Sequence, residues 1–405
     1  MRSIHVSYLG VALLLAACGG SDSGPRQVAS TDIPGVGAGT NFSFDLGLVA
    51  GNRLFFTDRN NAAVDVFDTS TSAFVAQIKG SGPNAFAGVG KNSAGAADNS
   101  ISGPDGINLV GNLLYAGDVN SVKIIDPATA QITKTIVVGT SGKRADEGCV
   151  DAVHGMYMIS TPEAATPFAT FINTTTQAIV AQVTFTDASG APSAGLEQCR
   201  YDPATDTFFV NNDGTTANPH GELVSMPGAS IRAIAAGGTV NFTALAGVHE
   251  FSEGNCDPTG LALGPGTDVA VGCREGTTGA PLLVQIMNRT SGAIVASVNA
   301  GGGDQIEYDP STNRYYSAAS RWTASGTAAT DGTCSATSPC TPVLAIIDAS
   351  TRTLMAQLKT GNNAHSVAVD PATAKAFLPI SSGPSPAGCA TCGTESAGLL
   401  TFAIK

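Results

Sequence analysis

Short runs of alternating apolar and polar residues recur down nearly the whole chain. Gly, Gly-Asn, Asp-Pro and Ser/Thr clusters separate them. Period-two alternation over about four to eight residues marks a half-buried β-strand, and a short unbroken apolar run marks a buried one. High Gly, Ser and Thr content with few long helix-forming polar residues argues the same way, so the expectation is an all-β chain. One sentence is written three times: "LEQCRYDPATDTFFV" at 196–210, "GDQIEYDPSTNRYYS" at 303–317 and "SVAVDPATAKAFLPI" at 366–380. Each reads strand, Asp-Pro turn, strand. Pro presets φ for the turn and the Asp carboxylate bonds the backbone ahead.

Extended to four strands, the template covers the chain seven times, and a fixed repeat of this kind signals an array or propeller. Blade one reads "LGLVAGNRLFFTD", "AAVDVFD" and "AFVAQIKG"; blade two "GINLVGNLLYAGD", "SVKIID" and "QITKTIVVG". Blade three follows as "CVDAVHGMYMIS", "FATFINT" and "AIVAQVTF". Blade four has "QCRYDPATDTFFVNN" and "GELVSMP", with its last strand expected near 230–235 or 240–246. Blade five is "GLALGPGTDVAVGC", "LLVQIMN" and "AIVASVNAG", and blade six "QIEYDPSTNRYYSAA", "VLAIIDA" and "TLMAQLKTG". Blade seven ends at "LLTFAIK" one strand short. "RQVASTDIPG", ahead of blade one, resembles the outer-strand endings "FVAQIKG" and "LMAQLKTG" and supplies the missing strand. A ring of blades must hide its edges, and sharing the last blade between the termini closes it. The expected fold is a seven-bladed β-propeller of four-stranded antiparallel blades over residues 27–405. Through "PDGINLVGNLLYAGD" and "SVAVDPATAKAFLPI" the repeats resemble the YVTN and NHL class of β-propeller, a resemblance that bears on fold rather than activity.

Strand order assigns loops to faces. The turns between first and second strands and between third and fourth strands share one face and are uniformly short. The other face carries the long loops 80–104, 184–197, 321–341 and 381–398. Long loops gathered on one side of a rigid scaffold are where binding is expected. The innermost strands begin on that face, led by Phe44, Asp105, Glu147, Glu197, Thr259, Asp304 and His365, with Asp146, Glu253 and Asp257 just upstream. Carboxylates gathered at a channel mouth repel one another, which raises some pKa values or recruits a cation. An oxygen-rich set suits Ca²⁺ or Mg²⁺, with Glu147, Glu197 and Asp304 as expected ligands and Asp105 and His365 beside them. The alternative is that each acid caps a strand or bonds a neighbouring blade's amide.

Residues 1–17 are Arg-led, apolar and too short to span a bilayer. They end in "LAAC", which resembles a bacterial lipoprotein lipobox and implies cleavage before Cys18, lipidation of its thiol and a flexible linker over 18–26. The expectation is a protein of the bacterial cell envelope, lipid-anchored, on the periplasmic side or the outer surface. Of nine cysteines, removing Cys18 leaves an even set suited to disulfides in an oxidising compartment. Local spacing favours Cys256–Cys273, then Cys334–Cys340 and Cys389–Cys392, with Cys149–Cys199 as the remainder.

The net charge of −12 and the lack of a basic cluster exclude nucleic acid as a partner. There is no HExxH, no GxSxG and no Walker motif. His154 is expected to be exposed in a short turn, and His220 in a long loop. Trp322 is expected to pack the blade-six insertion down. Arg144, Arg200 and Arg274 are placed to supply anion-binding charge or to neutralise Glu147 and Glu197. The reading is a monomeric binding module that takes a small ligand or an envelope protein on its loop-rich face. The alternative is a divalent-cation-assisted hydrolase or lyase. Gluconolactonase-like and streptogramin-lyase-like propellers use comparable positions, which implies His365 as the proton-transfer group. This chain lacks their asparagine-rich ligand motifs.

Overall fold

The computed structural model describes residues 24–273, 282–323, 337, 339–384 and 394–405. Cys18, Arg274, Cys334, Cys389 and Cys392 lie outside them, so the lipidation site, one candidate cation and the expected Cys389–Cys392 pair do too. Blade one consists of Phe44–Ala50, Arg53–Asp58, Ala63–Asp68 and Phe74–Ile78, paired antiparallel in that order. Blades two, five and six repeat the plan. In each the third strand is buried almost end to end, as in Ala63–Asp68 and Val343–Asp348, because neighbouring blades cover both of its faces.

The Asp-Pro turns do what their chemistry predicts. Asp370 accepts from the Ala372 N–H at 2.9 Å and from the Thr373 hydroxyl at 2.8 Å. Asp202, Asp309 and Asp126 make the matching pairs of bonds. In each turn the residue after the Thr, namely Ala374, Asp206, Asn313 or Ala130, takes a positive φ.

Blade seven closes the ring as expected. Its order is Arg26–Thr31, Gly398–Ala403, Lys375–Ile380, Ala368–Asp370, with Arg26 paired to Ala403 and Thr31 to Leu399. Blade four departs from expectation. Its outer strand is His249–Ser252, antiparallel to Glu222–Pro227, not 230–235 or 240–246. Gly228–Arg232 is a short helix. Gly238–Asn241 leaves the blade altogether and pairs parallel with Ala178–Thr184, the outer strand of blade three. The Ala- and Gly-rich segment after Pro227 carries no alternating pattern, and "HEFS" is too short and polar to signal a strand. Two disulfides have both cysteines among the described residues. Cys149–Cys199 staples the inner strands of blades three and four, and Cys256–Cys273 closes the blade-five hairpin. Cys340 is disulfide-bonded too, to a partner outside the described residues.

Candidate functional site: an acidic cup at the channel mouth

Glycines bring the inner strands together at the mouth. The Gly106 N–H donates to the Asp146 carbonyl at 3.0 Å, and a Cβ on Gly106 would sit 2.5 Å from that oxygen. Gly260 makes the same approach to the Gly303 carbonyl. Each glycine directly follows a leading residue, Asp105 or Thr259, and the close approach packs that residue against the neighbouring blade.

The rim encloses a cup of about 420 Å³. Phe44, Glu147, Glu197, Asp304 and His365 line it, so five of the seven leading positions share one cavity. Three of the long-face connections reach it as well: Val89, Ala97 and Asn99 from 80–104, Arg321 from the blade-six insertion, and Asn363 between blades six and seven. The other two leading positions sit elsewhere. Asp105 is fully buried below the rim. Thr259 is buried in the wall, its hydroxyl donating to the Gly303 carbonyl at 3.0 Å.

A bulge between Phe44 and Gly47 adds Asp45 to the lining, a carboxylate that a strict template assigns to no role. With it comes Arg59, immediately after the second strand of blade one. Its Nη2 donates to Asp105 Oδ1 at 2.6 Å and lies 3.1 Å from Asp45 Oδ2. Arg144 Nη2 is 2.7 Å from Asp146, and its Nε donates to Glu163 at 2.9 Å. Asp45, Asp105 and Asp146 place ligand atoms within 4.8 Å of one another, but these two guanidiniums already occupy that half of the cup.

The other half is different. Its described charged lining is Glu147, Glu197 and Asp304, three carboxylates against the one guanidinium of Arg321. Glu147 is 4% exposed and its Oε2 has no hydrogen-bond partner. Burial, then the charges of Asp146, Glu197, Asp45 and Asp304, hold its carboxyl well above the usual range. Burial likewise raises Asp146, against the pull of Arg144. Asp105 is pushed up to about 7, because burial outweighs Arg59 and Arg144. Beside Glu147, the His365 ring stacks on Phe44 with centroids 4.5 Å apart. Its Nδ1 lies 2.7 Å from the Asn363 carbonyl. A carbonyl only accepts, so Nδ1 is the donor of this bond, and in the neutral ring Nε2 is the nitrogen left with a lone pair.

Several other candidates fall outside the cup. Arg200 does not meet Glu197; it points down the channel, donating to the Ile306 carbonyl at 3.1 Å and to Glu307 at 3.3 Å. Glu253 is buried away from the cup, its carboxyl raised by burial and by Asp213 and Glu222. Asp257 pairs with His220 at 3.2 Å. His154, exposed on the short-turn face, bonds Asp151 at 2.9 Å. Trp322 is half-buried over Gly301.

No family model matches the chain, and neither does any curated protein. Solved structures do match. A chain of a mitotic checkpoint complex aligns with TM-score 0.58 at 11% identity, over 99% of this chain and 98% of that one. U3-55K aligns with TM-score 0.58 at 8% identity, over 94% and 100%. A chain of Kuenenia stuttgartiensis hydrazine synthase aligns with TM-score 0.57 at 15% identity, over 87% and 94%. At such identities the likeness is one of fold.

Proposed function

We propose that this chain is an exported YVTN/NHL-type propeller, lipid-anchored at Cys18, that acts as a monomeric binding module. Its ligand is a small cation, or a small molecule or envelope protein presenting one, held in the cup. The observation that carries this reading is Glu147: a buried carboxylate oxygen without a partner, in a half-cup where acids outnumber bases. Such a group takes up either a proton or a cation. Glu147, Glu197 and Asp304 are the oxygen donors that would hold Ca²⁺ or Mg²⁺, with His365 Nε2 at the edge of the set.

The anchor fits this orientation. Arg26 pairs with Ala403, at the end of blade seven remote from the cup. The eight-residue tether from Cys18 spans at most about 30 Å. An anchor there holds the opposite face to the membrane and leaves the cup open to its ligand.

The test is thermal unfolding of the purified protein, stripped with chelator, against Ca²⁺, Mg²⁺, Mn²⁺ and Zn²⁺, with Glu197→Gln as control. A ligand bound only by the native state raises the midpoint by mass action. A rise that Glu197→Gln abolishes supports the reading; no rise with any cation leaves the acids as structural caps. A second reading, a cation-assisted hydrolase or lyase, is favoured by His365, whose ring is held on the cup by Phe44 and the Asn363 carbonyl and suits proton transfer. Lactone and lyase screens in which His365→Ala removes turnover but not cation binding would establish it.

A further inference from the structure

The closing strand Arg26–Thr31 reaches blade one through a strap, residues 32–43, whose end lines the cup at Asn41, Phe42 and Ser43. Two side chains of blade one hold the strap's start. Asn61 Nδ2 donates to the Pro34 carbonyl at 2.9 Å, and Gln77 Nε2 donates to the same oxygen at 3.0 Å. Gly35 permits the crossing: its φ is +84°, and a Cβ there would collide with the Asn61 amide. Further along, the Gly39 and Phe42 N–H groups donate to Ser382 Oγ at 3.1 Å and Ser381 Oγ at 2.8 Å.

A pair of acids lies beside the strap. Asp65 is fully buried, and neither of its oxygens has an N–H or hydroxyl partner. Across the sheet it stands between Phe56 and Gln77. Phe56 and Phe67 pack with Ile33 and Val36 of the strap, so the strap covers the sheet face that carries Asp65. The Asp65 carboxyl bonds that of Asp58. Asp58 in turn accepts from the Asn61 N–H at 2.8 Å and from Asn61 Nδ2 at 2.6 Å. Two carboxyls bond each other only with a proton between them. Burial, then the charge of Asp58, hold Asp65 well above the usual carboxylate range, against the pull of Gln77 and Lys79. Lys79, past the fourth strand, is exposed, as is Asp32 on the strap itself. Blade seven meets the cluster with Ala368, Phe377, Ala397 and Leu399, none of them charged.

We propose that Asp58 and Asp65 form a proton-held latch on the strap. With one proton shared, the pair carries a single charge that Asn61 answers, and the strap lies closed. When that proton leaves to solvent, two adjacent carboxylates face each other against an apolar cluster. Such a pair is tolerated only when hydrated, and water reaches Asp65 by lifting the strap. A carboxyl whose pKa is raised on folding favours the closed form at low pH and releases it as pH rises through the folded value. Release loosens Asn41, Phe42 and Ser43 too, so the latch couples pH to the wall of the cup. It needs neither a cation in the cup nor an anchor at Cys18.

The experiment is hydrogen–deuterium exchange of the purified protein at pH 5.5 and pH 8.5. Mass spectrometry reads protection relative to the intrinsic rate in peptides covering 32–43. Asp65→Asn and Asp58→Asn each keep the pair's shape and its hydrogen bond, and each prevents the double charge. The expected result is strap protection about tenfold or more lower at pH 8.5 in wild type, with no such loss in either variant. Should one variant fail to fold, the other decides. Equal strap protection at both pH values in wild type overturns the proposal. So does the same loss in a folded variant, or a loss spread evenly over all the blades.

Discussion

Burying the Glu147 carboxyl among four other acids raises its folded-state pKa, and Asp146 and Asp105 shift the same way. A carboxyl whose pKa is raised on folding binds more protons folded than unfolded. Its contribution is complete below the unfolded value and is lost as pH rises through the folded one. Wild-type stability is therefore expected to fall between the ordinary carboxylate range and about pH 7 and beyond. In urea unfolding across that window, Glu147→Gln should flatten the slope. Below about pH 4 the trend reverses, because turn acids such as Asp370 and Asp126 have lowered pKa values and lose stability on protonation. Asp370→Ala removes two turn bonds and should cost about 1–2 kcal/mol in the same assay. These turn residues could be read directly, since Asp-Pro-Ala-Thr acts on its own backbone. Arg59 could not: its role depends on a carboxylate 46 positions away, and a basic residue just after a second strand was the only local signal.

Elements whose register is fixed by two buried faces were legible. Those fixed by an edge were not. The inner and middle strands follow from alternation alone, because a one-residue slip would invert every side chain. The outer strand His249–Ser252 and the parallel addition Gly238–Asn241 carry little apolar signal, and tertiary pairing places them. The bulge in Phe44–Ala50 shows the same limit from the other side. One extra residue brings Asp45 to the rim beside Phe44, and no periodicity announces it. The Cys149–Cys199 bridge joins two such inner strands at a separation of 50 residues. By loop-closure entropy it contributes about 4 kcal/mol, against about 3 kcal/mol for Cys256–Cys273 with its shorter loop. A paired Cys149→Ser/Cys199→Ser variant should therefore lose more in chemical denaturation than Cys256→Ser/Cys273→Ser.

For the molecule as a whole, closure and cup come from the same geometry. The N-terminal strand covers Gly398–Ala403, the one blade edge the C-terminus leaves open. A chain starting at residue 33 should then aggregate or unfold where one starting at 24 remains folded by circular dichroism and size exclusion, since an exposed flat edge recruits other strands. Ring closure also carries the inner-strand starts to one mouth, which is why five of the seven aligned leaders meet although they are far apart in sequence. The central claim is that the cup trades a proton for a cation. It is tested by the Ca²⁺-induced shift in unfolding midpoint at pH 8 and pH 5.5, in wild type and Glu147→Gln. Competition for one carboxylate predicts a larger wild-type shift at pH 8 and little shift in the variant at either pH. Equal shifts at both pH values, or an undiminished shift in Glu147→Gln, would contradict it.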